Sequence, residues 1–176
     1  MDEVDLIIEA ISKDDAATLD ALLRANPQHR FRYNGSERWL TSAVMHGRVN
    51  VLKLLVSLGA NPAAPENTTD SVPDPEGPIF HAACAGHLEM VRYLLDLGVP
   101  VNHIIDDRVR CSALAAAARY GYLDLTKLLV KHGAAVNAIW ADKTPLDNAM
   151  RAGEDDVAEY LRSVGAKPAA ELAAGG

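Results

Sequence analysis

The sequence predicts an all-α fold, a solenoid of stacked helix–turn–helix units joined by hairpin-like loops. Three observations carry that prediction. A segment recurs in register as "AVMHGRVNVLKLLVSLGAN", "AACAGHLEMVRYLLDLGVPVN", "AAARYGYLDLTKLLVKHGAAVN" and "AMRAGEDDVAEYLRSVGAKP". Within these copies Gly47 and Gly59, Gly86 and Gly98, Gly121 and Gly133, and Gly153 and Gly165 are each 12 residues apart. The apolar residues between the glycines follow a helical rather than an alternating period. A fixed period of this length marks a repeat architecture, in which one unit cannot bury its apolar face alone and neighbours must stack.

The units follow in order along the chain. "AISKDDAATLDALLRANP" fits the same template at the N-terminus, with Asp14 in place of the first glycine and Asn26 in place of the second. Anchored on Asp14, the spacings between units are 33, 39, 35 and 32 residues. The second unit carries an apolar stripe of Leu52, Leu55 and Val56, the third Val91, Leu94 and Leu95, the fourth Leu125, Leu128 and Leu129. Ser112 and Thr144 stand where N-caps belong, Pro145 suits a first helical turn, and Pro78 holds the equivalent place in the third unit. Gly59, Gly98, Gly133 and Gly165 follow Leu- or Val-rich helix ends, where a left-handed residue closes a helix. Acids crowd both ends, with Asp14, Asp15 and Asp20 at one and Glu154, Asp155, Asp156 and Glu159 at the other, as expected of capping units. The expectation is ten short helices in five pairs and no sheet core. They form a single domain over 1–176, with units near 1–32 (N-cap), 33–65, 66–104, 105–138 and 139–170 (C-cap).

Two spacings are long. The larger excess falls in "NPAAPENTTDSVPDPEGP", where Pro62, Pro65, Pro73 and Pro75 argue for an extended loop. Its charges are all acidic, Glu66, Asp70, Asp74 and Glu76. Lengthening a surface loop costs only ~0.6 kcal/mol per doubling, so a tolerated insertion and an acidic finger that touches a partner are both open. The smaller excess lengthens "NHIIDDRVRC", which brings Ile104, Ile105, Asp106 and Asp107.

Composition narrows the function. The formal charge is −7 over 176 residues, which disfavours a phosphate backbone and predicts no nucleic acid partner. The start, "MDEVDLIIEA", is acidic where a signal peptide is basic, and no apolar run approaches the ~20 residues a spanning helix needs. Two cysteines, Cys84 and Cys111, are too few for a disulfide framework. The reading is a soluble cytoplasmic chain, monomeric on its own, without membrane contact. Six histidines show no metal-ligand spacing, no glycine loop suits phosphate, and neither cysteine has a base nearby in sequence. No catalytic residue, metal site or cofactor is therefore expected. Arg30, Arg32 and Arg38 with His29 form the one basic cluster in the linear sequence.

The repeated segments resemble ankyrin repeats. The family's Thr-Pro-Leu-His segment is matched best by "TPLD" at Thr144–Asp147, and its Gly-His by "GHLEMV" from Gly86 to Val91. The resemblance covers about residues 4 to 167; the histidine ending the first motif is replaced by Thr41, Phe80, Ala115 and Asp147. It implies a non-catalytic module that holds another protein with hairpin tips and the exposed face of each first helix. Those positions are Tyr33, Asn34, Glu37, Met45 and His46 in the second unit, and Asp74, Glu76 and Cys84 in the third. The fourth contributes Arg108, Arg119 and Tyr120, and the fifth Trp140, Asp142, Lys143 and Arg151. They lie outside the apolar stripes yet hold Tyr33, Met45, Tyr120 and Trp140, residue types enriched at interfaces. Trp140 is the sharpest case, either a brace for its own hairpin or a partner anchor at the rim of the groove. The favoured function is occlusion or inhibition of one partner protein, which the acids suggest is basic. An immunity protein neutralising a toxin enzyme is its most specific form, since the ending "GAKPAAELAAGG" resembles small bacterial ankyrin proteins. A regulatory adaptor linking cellular proteins is the alternative.

Overall fold

The computed structural model describes residues 3–27, 35–63, 77–102 and 112–174, with 35–38 described by backbone alone. Eleven helices lie in this part of the chain: α1 (Glu3–Ser12), α2 (Ala16–Ala25), α3 (Gly35–Met45), α4 (Val49–Ser57), α5 (Gly77–Cys84), α6 (Leu88–Asp96), α7 (Ala113–Arg119), α8 (Leu123–Lys131), α9 (Pro145–Ala152), α10 (Asp155–Ser163) and α11 (Ala169–Ala174). The first ten are the five expected pairs. The eleventh was not foreseen: it is a short alanine-rich turn of helix at the C-terminal end, with no buried residue. The only β-pairing among the described residues is one bridge, between Trp140 and Lys143.

Two compact units divide the chain, Met1–Asp74 and Pro75–Gly176. In the first, α1 packs on α2 and α3 on α4, while α1 meets α3 and α2 meets α4. In the second, α5, α7 and α9 form one layer and α6, α8 and α10 the other. Each unit is thus a short stack of helix–turn–helix pairs.

Local chemistry explains why the pairs form. After α3, the Gly47 amide bonds to the Val44 carbonyl and the Arg48 amide to Ala43, at 3.2 and 2.7 Å. The same two bonds close α4 at Gly59 and Ala60 and α5 at Gly86 and His87. This is the Schellman closure, which needs a left-handed residue at its corner; Gly47 (φ 66°) and Gly59 (φ 101°) supply it. At the first corner stands Asp14, at φ 55°. Its carboxylate accepts from the Val51 amide (3.0 Å), the Asn50 amide (3.4 Å) and the Asn50 side chain (2.9 Å). Asn50 and Val51 are in the first turn of α4, whose own N-cap residue, Arg48, makes no side-chain cap bond. An aspartate from the first helix pair therefore caps a helix of the second, and aspartate tolerates the left-handed backbone better than most residues. Asp15 caps α2 through the Thr18 amide, and Asp20 pairs with Arg24 at 2.8 Å. Asp14 and Asp15 thus hold helix starts in place, while Asp20 makes a pair within α2.

Two members of each expected stripe in α4 and α6 are buried, and the third is exchanged for a residue at the start of the stripe. Val51, Leu52 and Leu55 are buried in α4, and Met90, Val91 and Leu94 in α6; Val56 and Leu95 are half-buried. Leu125, Leu128 and Leu129 are buried as expected, with Thr126 beside them. In α7 every residue from Ala113 to Ala118 is buried. A helix of small side chains packed on both flanks lets α5 and α9 approach closely.

Candidate binding cleft

Trp140 opens a two-residue turn. Its amide bonds to the Lys143 carbonyl at 2.9 Å, and the Lys143 amide returns to the Trp140 carbonyl at 3.0 Å. The two central residues, Ala141 (φ 47°) and Asp142 (φ 61°), are both left-handed, the type I′ geometry that matches strand twist. Asparagine and glycine usually fill such positions; an alanine there stores backbone strain of about 1 kcal/mol. The turn leads into a firmly fixed helix. Thr144 caps α9 by accepting from the Asp147 amide, and Asp147 accepts in return from the Thr144 amide (2.9 Å) and hydroxyl (3.0 Å). This is a capping box with Pro145 in the first turn.

Asp147 occupies the place of the family's histidine and does more than close this box, since it also accepts from the Ala169 amide at 2.8 Å. Burial pushes its carboxyl up, but the amide bonds from Thr144 and Ala169, the Thr144 hydroxyl and the nearby Lys143 cation outweigh that. The net result holds it below the ordinary aspartate value.

Between this turn, α9 and the end of α7 lies an open cleft of about 420 Å³. Arg119 enters from α7; Trp140 and Lys143 come from the turn; Asn148 and Arg151 come from α9, with Ala141 and Ala152 leaving room between them. Asn148, Arg151 and Ala152 are three and four apart, so one face of α9 presents all of them. Trp140 is 36 % exposed, its remaining surface covered by its surroundings. Its ring is neither free nor in the core, so burial by itself does not choose between a brace and an anchor. The Arg119 guanidinium lies over the Tyr120 ring, 5.8 Å from its centre. Tyr120 leans on Tyr122, their ring centres 5.9 Å apart. Tyr122 in turn covers Gly86, where an added Cβ would come within 2.7 Å of its ring.

Arg119, Trp140, Lys143 and Arg151 are thus brought together from the expected set. Tyr120 stands beside Arg119, exposed, and Asp142 is exposed at the turn tip. Met45 ends α3 in the other unit and His46 follows it, both exposed, the His46 ring donating to the Ser42 carbonyl at 2.9 Å. Glu37 lies in the part of α3 described by backbone alone, and Cys84 is half-buried at the end of α5. Tyr33, Asn34, Asp74, Glu76 and Arg108 lie outside the described residues, as do Arg30, Arg32, Cys111, Ile104, Ile105 and the acids Glu66, Asp70, Asp106 and Asp107. The expectation of a basic partner rested largely on those acids; the described cleft carries the opposite charge.

Sequence reasoning missed two asparagines that hold the loops in register. Asn102 donates to the Gly133 carbonyl and accepts from the Ala135 amide, both at 2.9 Å. One repeat later, Asn137 makes the same pair with the Gly165 carbonyl (3.3 Å) and the Lys167 amide (2.8 Å). The signal was present in the aligned segments, where both asparagines stand four residues after the second glycine. They fix the loop that bears Trp140.

Comparison with known proteins agrees with this architecture. The family model described as ankyrin repeats (3 copies) matches residues 40–139 and 101–171. Alpha-latroinsectotoxin-Lt1a of Latrodectus tredecimguttatus is 36% identical over 129 residues, 70% of this chain but 8% of the toxin. Cyclin-dependent kinase inhibitor 2A of Homo sapiens is 32% identical over 130 residues, 73% of this chain and 78% of that protein. Its counterpart in Monodelphis domestica is 30% identical over 139 residues, 78% of this chain and 76% of that protein. The chain therefore spans less than a tenth of the toxin and about three quarters of each inhibitor. Matches over most of its length, on helix pairs stacked as described, place the chain in the ankyrin-repeat family, whose repeats bind other proteins.

Proposed function

We propose that the chain is a non-catalytic module that occludes or inhibits one partner protein. The observation that carries this reading is the cleft in which Trp140 and Arg151 stand together beside Arg119. Tryptophan and arginine are the residues most enriched at binding hot spots, and here they share a walled concavity. A relative of similar length is by name an inhibitor, which supports inhibition over scaffolding. The most specific version is an immunity protein that blocks a toxin enzyme in the cytoplasm. No helix among the described residues is long and apolar enough to cross a membrane.

The test is capture and assay. The immobilised chain should retain a protein that the double variant Trp140→Ala/Arg151→Ala loses, and adding the free chain should lower that protein's activity. Retention by both forms would remove the cleft from the function. Retention without any effect on activity would favour the adaptor.

A further inference from the structure

We propose that the cleft between α7 and α9 receives an acidic segment of the partner protein. In this seat Arg119 and Arg151 grip side-chain carboxylates, Lys143 adds a third positive charge, and the Trp140 indole covers the intervening apolar stem. The inference deepens the protein-binding reading and rests on it.

Charge is the first ground. The chain carries −7 overall, yet this cleft is lined by three cations and no carboxylate. Among the described residues none of the three forms an ion pair; Arg119 lies only over the Tyr120 ring, and the Lys143 ammonium reaches a carbonyl, that of Ala141, at 3.4 Å. The neighbouring acids are turned to other work. Asp147 is committed to Thr144 and Ala169, Glu154 lies against Gly121, and Asp142 is at the exposed turn tip. A concave site lined by one sign of charge focuses field and draws the opposite sign.

Geometry is the second ground. The cations come from three different places, the end of α7, the turn and the last turn of α9, and converge on one space of about 420 Å³. That is within the range of a site that accepts a few side chains, and too small for a folded element. Two guanidinium groups can each meet a carboxylate through paired parallel hydrogen bonds, which an ammonium cannot do. The frame is stiff, because the capping box and the I′ turn fix the backbones that carry Trp140, Lys143 and Arg151.

The occupant is a protein segment and not a nucleic acid. Three cations could neutralise at most about three phosphates, a shallow electrostatic term set against a chain of strong like charge.

Nitrogen-labelled full-length chain, titrated with a ten-residue peptide alternating glutamate and glycine, tests the proposal. The matching glutamine, lysine and oligothymidine probes run in parallel. Glutamate peptide at millimolar concentration should shift the Trp140 indole resonance and the Arg119 and Arg151 signals, with the glutamine and lysine peptides inert. Arg119→Gln and Arg151→Gln should each weaken that binding roughly fivefold, and their unchanged melting curves will show that they fold. Absence of a glutamate-specific shift, a stronger response to lysine, or an affinity in both variants equal to the parent's would overturn it; tighter binding of oligothymidine would assign the cleft to nucleic acid. If Arg119→Gln/Arg151→Gln still inhibits a captured partner at full strength, the acidic seat is wrong while the inhibitory function stands. Failure to capture any partner would instead remove the function on which the seat depends.

Discussion

Replacing Asp14 tests how one helix pair is tied to the next. Its carboxylate does the work of an N-cap for α4, a helix 35 residues further on, while its own backbone sits left-handed at φ 55°. Three substitutions separate these contributions. Asp14→Asn keeps one oxygen acceptor and a residue that tolerates the conformation, but loses the charge at the helix N-terminus and the second accepting oxygen, about 0.5–1 kcal/mol. Asp14→Gly keeps the conformation but removes all three hydrogen bonds, an expected loss of about 1 kcal/mol for a cap. Asp14→Ala removes the bonds and adds the left-handed penalty of a plain Cβ, for a total of about 2 kcal/mol. Urea denaturation resolves such steps, since slopes of about 1–3 kcal/mol/M turn 1 kcal/mol into several tenths of a molar shift in midpoint. Amide exchange at Asn50 and Val51 should quicken in the glycine variant ahead of the rest of the unit. A glycine variant as stable as the parent would show that the bonds contribute nothing. Equal stability of the alanine and glycine variants would show that the left-handed corner is not a constraint.

Other expectations follow from the second unit. Trp140→Ala should lower stability by about 1–2 kcal/mol, more than a surface substitution because about two thirds of the residue is covered, and less than the 3–5 of a core aromatic. It should also weaken partner binding at least about tenfold; a thermal melt and a binding titration on the one variant check both. Ala141→Gly should relieve the left-handed alanine and raise stability by up to about 0.5–1 kcal/mol, visible as a melting temperature about 2–4 °C higher; a lower value would refute the strain. Asp147 has a folded pKa below its ordinary 3.8, so its stabilising contribution is present above that value and lost as pH falls through the lower folded one. Asp147→Asn should therefore be less stable than the parent near neutrality, and the two should converge in acid denaturation as pH drops below about 4. Parallel stability curves across that window would contradict the assignment.

The sequence by itself determined the helix pairs, their order and their family. Each of these is written in local chemistry that repeats: a left-handed corner 12 residues before the next, a proline or a capping hydroxyl at a helix start, and leucines at helical spacing. Thr144, Pro145 and Asp147 could be read as a helix start because a capping box spans only four residues. Trp140 could be placed at a loop tip for the same reason. Where the relevant partner is a repeat away, the sequence fell short. Asp14 looked like one more acid of a solvated cap, and only the structure shows it bonded to Asn50 and Val51. The exact buried edge of α4 and α6 depended on which neighbour each helix meets, so Val51 and Met90 are buried where Val56 and Leu95 were expected. Arg119, Lys143 and Arg151 were each named as binding positions from sequence, but their joint charge was outweighed there by the loop acids. Arg119, Lys143 and Arg151 are separated by 24 and 8 residues, each among neutral or acidic neighbours, so they form no basic cluster in the linear sequence. Stacking α9 on α7 brings the three to one cavity, because repeats place equivalent positions side by side whatever their separation along the chain.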